Sequence, residues 1–308
     1  MRRLSVREMS LAAIIVVALA ATLPFFASDY ILGVLTPGFY IAVFAMAWDL
    51  LFGFANEVNF GPTFLIGLGA YAAGIIDNRL GWSIWLCVAA GTAAAVAGGL
   101  ILALPALRVR GPYFGLTTLV AVLILSNLIV VFADLTGGEI GLTVPDVISI
   151  DAHANYWIAL GFMSASGAIL FALSRSPMGL ILQASGQDAV QAGALGFNVT
   201  KHKLAAFTIS AFFSGLAGAL YVFYLGAASV GTLVDVTVGV QVIIAAVLGG
   251  RRTILGAALG AIFLIGATEA LRPLGELATL VVSAIALLIV LFFPNGLLGL
   301  IARVGGRA

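Results

Sequence analysis

Apolar runs of about twenty residues, joined by short polar connections, fill almost all of this 308-residue chain. A membrane-spanning helix needs about 20 apolar residues, and only 9% of the chain is charged, against about 25% in soluble domains. The runs have approximate limits at residues 10–27, 32–53, 60–76, 82–105, 112–133, 156–173, 204–225, 237–249, 253–270 and 277–294. The sequence therefore predicts an all-α polytopic membrane protein with about ten transmembrane helices in one domain, residues 1–308. The short runs 60–76 and 237–249 are candidates for segments that enter only part of the bilayer.

Basic residues are concentrated in every second connection between the runs. Because positive charge favours the cytoplasmic side, we expect these connections and both chain termini to be cytoplasmic. They hold Arg2, Arg3, Arg7, Arg108, Arg110, Arg175, Lys201, Lys203, Arg251, Arg252, Arg303 and Arg307. The outside connections then hold Asp29, Asp77, Asp134, Glu139, Asp146, Asp151, Asp235 and Glu276, with Arg79 and Arg272 as basic exceptions.

Charged residues are missing from the middle of every predicted run, and Asp49 and Glu269 lie near run ends. A charge at the bilayer centre costs at least about 2.5 kcal/mol and usually serves protons, ions or voltage. Proton coupling through an intramembrane carboxylate is therefore not expected, although sodium coupling through backbone carbonyls stays open. No GxxxxGK[ST] phosphate loop is present, so this chain is not expected to bind ATP through one. We expect another subunit to supply the energy.

No set of residues predicts catalysis. The two histidines, His153 and His202, fall on opposite sides of the membrane in this topology, and Cys87 is the only cysteine. The net charge of +1 predicts no nucleic-acid partner. The chain is therefore not expected to be an enzyme or to carry a cofactor or metal of its own.

Small residues recur at helical spacing in three rows. The rows are Gly91, Ala95 and Gly99; Ala211, Gly215 and Ala219; and Gly256 with Gly260. Such rows let helix backbones approach closely in lipid, and they predict a compact bundle without indicating a function.

A polar detour between the runs ending at Phe171 and beginning at Leu204 is the most informative segment for function. Pro177 suits a helix start and Gly196 a helix stop, which predicts one short helix from Pro177 to Leu195. On that helix Gln183, Gln187 and Gln191 would share one side, and Gly186, Ala189 and Gly193 would form a small-residue stripe on another. We interpret this helix as a docking element for another protein. The alternative is a helix on the lipid surface, but the aromatic face and basic density of such helices are missing.

Several short motifs, in order, resemble the permease subunits of bacterial ABC importers for branched-chain amino acids. The resemblance runs from about Gly53 to Gly299. The matching segments are Gly67-Leu68-Gly69-Ala70-Tyr71, Leu107-Arg108-Val109-Arg110-Gly111-Pro112-Tyr113-Phe114, Thr136-Gly137-Gly138, Ser176-Pro177-Met178-Gly179, Ser214-Gly215-Leu216-Ala217-Gly218-Ala219-Leu220-Tyr221, Leu248-Gly249-Gly250 and Pro294-Asn295-Gly296-Leu297-Leu298-Gly299.

The resemblance implies a set of partners and a place in the cell. Two permease chains pair in the family, two ATPase subunits that hold ATP and Mg²⁺ dock on their cytoplasmic loops, and a soluble binding protein delivers the solute. It implies the inner membrane of a bacterium as the location, with lipid around the bundle. It also implies a cytoplasmic coupling loop at residues 176–201, whose candidate contact residues are Gly179, Gln183, Gln187, Asp188, Ala189, Gly193 and Gly196.

Departures from the family pattern leave the solute open. Leu180 replaces the usual Arg after Gly179, so the ATPase contact should be less ionic. Gln241 stands where the family often has Glu, and residues 56–62 differ from the usual Gly-Gln-x-Ser-x-Gly-His. The candidate residues for a substrate passage are Asn59, Phe60, Thr117, Thr118, Thr136 and Gln241. For each a purely structural role is the alternative, such as Thr117 and Thr118 bonding the carbonyl one turn back. Glu57 is expected to be solvated or paired with Arg108 or Arg110.

Three other functions remain open from the sequence. A permease of the same superfamily would carry urea, short amides, a carboxylate or a sugar. A self-contained secondary carrier or channel would need no ATPase. A structural scaffold of a membrane complex would carry no solute.

Overall fold

The computed structural model describes residues 6–107 and 112–275, together with positions 277, 280, 281, 284, 287, 288 and 296. The tenth predicted run, 277–294, and the C-terminal motif therefore lie largely outside the described residues. Each of the other nine runs coincides with a helix, which confirms the all-α class over the part described.

Thirteen α-helices form the described fold. Their bounds are α1 Val6–Thr22, α2 Asp29–Asp49, α3 Pro62–Leu80, α4 Ile84–Ala106, α5 Pro112–Val131, α6 Ala133–Thr136, α7 Ala152–Arg175, α8 Pro177–Gln187, α9 Ala189–Ala194, α10 Val199–Leu225, α11 Val230–Leu233, α12 Val236–Gly249 and α13 Leu255–Ala270. A 3-10 turn at Leu23–Phe25 follows α1, another at Arg272–Leu274 follows α13, and a π-helical turn at Leu50–Phe54 extends α2. Two short strands, β1 Leu142–Thr143 and β2 Ala227–Ala228, pair antiparallel.

Six of the described helices are long and apolar enough to cross a membrane, which makes the chain a multi-pass membrane protein. They are Asp29–Phe54, Ile84–Ala106, Tyr113–Val131, Ala152–Arg175, Val199–Leu225 and Val230–Gly249, and two shorter apolar helices run over Ile14–Phe25 and Leu255–Ala270. The number of about ten full spans stays a prediction.

Helix α2 forms the centre of the bundle. It is apolar on all sides, as expected of a helix surrounded by protein, and an unbroken stretch from Gly38 to Leu51 is buried. Tyr40 lies at its middle, in an aromatic cluster with Phe162 of α7 and with Tyr221 and Tyr224 of α10. A shift of α2 would therefore displace side chains on both α7 and α10.

The predicted small-residue rows pack against one another. A Cβ added to Gly99 of α4 would lie 2.8 Å from the Cβ of Ala211 on α10, and one added to Gly215 would meet Ala95. The backbone of Gly69, on α3, approaches Gly215 just as closely. On the other side of the bundle, Gly260 of α13 lies against the backbone of Gly249 on α12. The rows thus serve close helix packing, as the sequence indicated.

The two ends of the bundle carry opposite charge. We define the acidic end by Asp29, Asp77, Asp134, Asp146 and Asp151, and the basic end by Arg175, Lys201, Lys203, Arg251 and Arg252. At the acidic end the backbone N–H of Asp146 donates to Asp77 at 3.3 Å, His153 lies 3.3 Å from Asp29, and Arg79 donates to the backbone of Asp134. The predicted alternation of connections is confirmed at these positions.

The long connection after α5 closes the acidic end. It contains α6 and β1, and Val144 N donates to the carbonyl of Gly226 at 3.0 Å. Asn78 of α3 donates to the carbonyl of Thr143 at 3.0 Å. The connection is therefore an ordered cap over this end of the bundle.

Candidate functional site

The predicted docking segment, residues 176–201, is two helices and not one. Helix α8 begins at Pro177, as expected, but ends at Gln187. Asp188 has extended backbone angles, and its carboxylate accepts the backbone N–H groups of Val190 and Gln191, both at 2.9 Å. Because the Asp188 side chain caps the second helix, its backbone does not continue the first. The prediction of a single helix from Pro177 to Leu195 was therefore wrong.

Gly196 ends α9 in the way that the sequence predicted. Its φ of +89° lies in the left-handed region that favours glycine. Gly196 N donates to Gly193 O at 3.0 Å, and Phe197 N donates to Ala192 O at 3.2 Å, which is the hydrogen-bond pattern of a Schellman motif.

The inner face of α8 packs on the chain's own helices. A Cβ on Gly179 would meet the carbonyl of Ser174 at the end of α7, and one on Gly186 would lie 2.7 Å from the carbonyl of Phe54. Leu182 and Ser185 are buried on the same side. Gly186 was expected to share a small-residue stripe with Ala189 and Gly193, and this was wrong. Gly186 packs against the end of the π-helical turn, whereas Gly193 is open.

The outer surface of the segment is apolar and open. Val190 and Leu195 are 77% and 75% exposed, and a Cβ on Gly193 would have nothing within 4 Å. Of the other predicted contact residues, Gln187, Ala189 and Gly196 are exposed, whereas Gln183 and Asp188 are partly buried. With the break at Asp188, the three glutamines no longer share one face of one helix.

Residues 55–61, which we call the connector, join this segment to the interior. Gly186 lies against Ala55 at the connector's start, and Glu57 accepts a hydrogen bond from Lys203 on α10. Their side chains are only 13% and 17% exposed. The expectation that Glu57 is solvated was wrong, because α10 begins close enough for Lys203 to reach it. Its predicted alternative partners, Arg108 and Arg110, lie outside the described residues.

Three predicted passage residues meet where the connector ends and α3 begins. Trp48 Nε1 donates to the carbonyl of Asn59 at 2.6 Å, and Asn59 Oδ1 accepts the N–H of Gly61 at 2.8 Å. Phe60 N donates to Thr118 Oγ1 at 3.0 Å. Asn59 and Thr118 are buried, whereas Phe60 is 42% exposed, so the exposed surface here is the aromatic ring.

The other predicted passage residues lie apart from this group or are bonded locally. Thr117 Oγ1 donates to Tyr113 O and Thr118 Oγ1 to Gly115 O, both at 2.8 Å, so the bond to the preceding turn is present in both. Thr136 lies near the acidic end and donates to Phe132 O at 3.0 Å. Gln241 is exposed on α12.

Asp235 lies deeper than its predicted place in an outside connection. The preceding Val234 packs against Gly67 of α3, and Gly239 lies against Pro62 and Thr63 at the start of α3, with its added Cβ at 3.6 Å from each. Gly67 is thirteen residues before Leu80, the end of α3 at the acidic end, which corresponds to roughly 20 Å along the helix. The prediction that the interior of the bundle holds no charged residue was therefore wrong for Asp235. The sequence carried a signal for this, since Asp235 lies two residues before the short run 237–249.

A second carboxylate, Asp49, is buried at the basic end and is hydrogen-bonded within the fold. It is buried and accepts the backbone N–H groups of Arg252, Thr253 and Ile254 at 3.0–3.1 Å. Arg251 lies over the ring of Phe52 at 4.5 Å, and burial, with the adjacent charge of Arg252, lowers its pKa. These bonds tie the α12–α13 turn to the π-helical turn of α2.

These features define a class of protein: a multi-pass helical membrane protein with an irregular segment deep in its bundle and an open apolar segment at its basic end. The model of the permease component of branched-chain amino acid transport systems matches residues 30–293. The chain belongs to that family of ABC transporter permeases.

Named relatives are distant but extend along most of the chain. It is 26% identical to the high-affinity branched-chain amino acid transport system permease protein LivM of Salmonella typhimurium, over 95% of this chain and 75% of LivM. It is also 26% identical to LivM of Escherichia coli K12, over the same shares of both chains. The identity to LivH of Salmonella typhimurium is 26%, over 86% of this chain and 92% of LivH. No solved structure matches the chain.

Proposed function

We propose that the chain is the membrane-spanning subunit of an ATP-driven importer in the inner membrane of a bacterium. Its partners would be a second, related permease chain, two ATPase subunits that hold ATP and Mg²⁺, and a soluble binding protein outside. The basic end and both termini would face the cytoplasm, with about ten spans in all. The cargo would be a branched-chain amino acid, the solute class in the names of LivM and LivH.

One observation carries this proposal: the segment 176–201 is packed inward and open outward. Gly179 and Gly186 seat α8 on the bundle, while Val190 and Leu195 present apolar surface at the basic end. We assign the docking of the ATPase to the α8–α9 surface, and Gly179, Gln183, Gln187, Asp188, Ala189, Gly193 and Gly196 are its candidate residues.

The connector provides a mechanical route from the docking surface to the passage. Movement of α8 would push Phe54 and Ala55, which Gly186 touches. The ion pair of Glu57 with Lys203 would make the connector follow α10. The far end of the connector holds Asn59 and Phe60 against Thr118, so closure of the ATPase subunits would reposition the exposed ring of Phe60. The ATPase cycle would thereby open the passage to the two sides in turn.

The test is Gly193→Trp in the complex co-expressed with its ATPase. The added ring meets no atom of this chain, so the variant should fold and insert while its co-purification with the ATPase falls at least fivefold. Gly161→Trp is the matched control, because Gly161 is also exposed with nothing within 4 Å of an added Cβ. A correctly inserted Gly193→Trp that retains the ATPase at the control level would refute the docking assignment.

A cation- or proton-coupled secondary carrier is the second candidate, and the depth of Asp235 is the observation that favours it. It predicts solute accumulation by the purified chain alone under an ion gradient. A same-superfamily importer for urea, amides, carboxylates or sugars differs only in cargo, and competition between labelled solutes in the assembled complex separates it from the amino acid importer.

A further inference from the structure

Asp235 is a carboxylate at membrane depth whose local structural role does not need a charge. Its Oδ1 accepts the N–H of Thr237 at 2.6 Å and so caps the start of α12. Asn and Ser cap helices about as well as Asp, and they carry no charge into the bilayer. The start of α12 favours a negative charge, but a neutral cap would serve the same local role.

Among the described residues, no basic side chain is paired with this carboxylate. None of the ion pairs formed within residues 6–107 and 112–275 includes Asp235. Asp49, the buried carboxylate at the basic end, differs because it accepts three backbone N–H groups. The charge of Asp235 is thus left for a group that is not part of the described fold.

A polar flank leads from the acidic end to Asp235 and continues beyond it. Ser229 and Thr232 share a hydrogen bond at 2.8 Å near the rim, and Thr232 is exposed. Asp235 is partly exposed, and Thr237 and Gln241, four residues apart on one face of α12, are exposed. Ionised side chains at membrane depth face water or a protein partner and not lipid, so this flank is not expected to face lipid.

We propose that the carboxylate of Asp235 binds the cationic ammonium group of the solute in transit, with Thr237 and Gln241 as neutral polar neighbours. The site would admit solutes that carry an ammonium group and disfavour those that carry only a carboxylate. This inference rests on the proposed import function and names the part of the cargo that the membrane subunit recognises.

The experiment measures ATP-driven uptake of labelled leucine by the complete complex in vesicles, with the binding protein saturated. Asp235→Asn and Asp235→Ser keep a cap but remove the charge, and both should reduce the initial rate at least tenfold. Asp235→Glu keeps the charge but caps poorly, and it should stay within threefold of the parent. Asp151→Asn is the matched control, because Asp151 caps α7 by accepting His153 N and Ala154 N at 3.1 and 3.2 Å, and its rate should equal the parent's.

The order of the variants decides the result. If Asp235 serves only as a helix cap, Asn and Ser will transport normally and Glu will be the impaired variant, which overturns the proposal. Asn or Ser variants that transport leucine at the parent rate also overturn it. If the parent complex itself shows no ATP-dependent uptake of leucine, the proposed import function fails first, and the two failures are distinguishable.

Discussion

The ion pair between Glu57 and Lys203 tests whether the connector is held to α10. Both side chains are more than four-fifths buried. Removing one member of a fully buried pair costs about 3–5 kcal/mol, because the other charge is left uncompensated. The remaining exposure reduces this, so Lys203→Met or Glu57→Gln alone should lower the free energy of unfolding by about 2–3 kcal/mol.

The double variant Glu57→Gln, Lys203→Met separates the energy of the ion pair from the effects of the two substitutions themselves. With both charges removed, no uncompensated charge remains, and the loss in stability should fall below about 1 kcal/mol. The coupling energy from the double-mutant cycle should then be at least about 2 kcal/mol. SDS titration of the purified chain in mixed micelles, followed by circular dichroism, measures each free energy.

Arg272 and Glu269 provide the matched comparison, since this pair lies at the acidic end with Arg272 67% and Glu269 30% exposed. A cycle with Arg272→Met and Glu269→Gln should show no measurable coupling. If the stability loss of the double variant equals the sum of the two single losses, the charges of Glu57 and Lys203 do not interact. The mechanical route through the connector would then have to be abandoned.

Two further predictions concern the packing and the basic end. Gly215→Val should lower the free energy of unfolding by about 1–3 kcal/mol, because its Cβ would meet Ala95. Gly161→Val, which has open space, should unfold like the parent in the same SDS titration. Equal stability of the two variants would contradict the close packing of α4 and α10. Asp49→Asn should cost about 2–3 kcal/mol, because three N–H groups lose a charged acceptor; Asp151→Asn on the exposed cap of α7 is its control, and a loss no larger than the control's would show that Asp49 does not secure the α12–α13 turn.

The helical bundle could be predicted from the sequence, because its signals are local residue preferences or patterns that repeat along one helix. Apolar length located nine helices, and the rows at Gly99 and Gly215 identified faces that do pack together. Pro177 and Gly196 marked the ends of the docking segment because their backbone preferences are intrinsic. Its break at Asp188 was missed, since the four-residue spacing of the glutamines suggested one continuous helix while the capping carboxylate favoured two.

The candidate site was predictable only in part, because depth and partners depend on the packing of distant segments. Asn59 and Thr118 were predicted as uncharged polar passage residues, together with Phe60, and the structure brings the three together. Asp235 was placed outside because charge patterns assign connections to a side of the membrane and carry no information about how far one descends. Lys203 as the partner of Glu57 lies 146 positions away in sequence, which no local pattern records.

Uptake by the purified chain in sealed vesicles, with and without its ATPase and second permease subunit, tests most directly whether this bundle is driven from outside itself. We expect no accumulation of labelled leucine by the chain alone under a sodium or proton gradient. Accumulation should appear only when the partner subunits, the loaded binding protein and ATP are all present. Concentration of the solute by the isolated chain would contradict ATP-driven import.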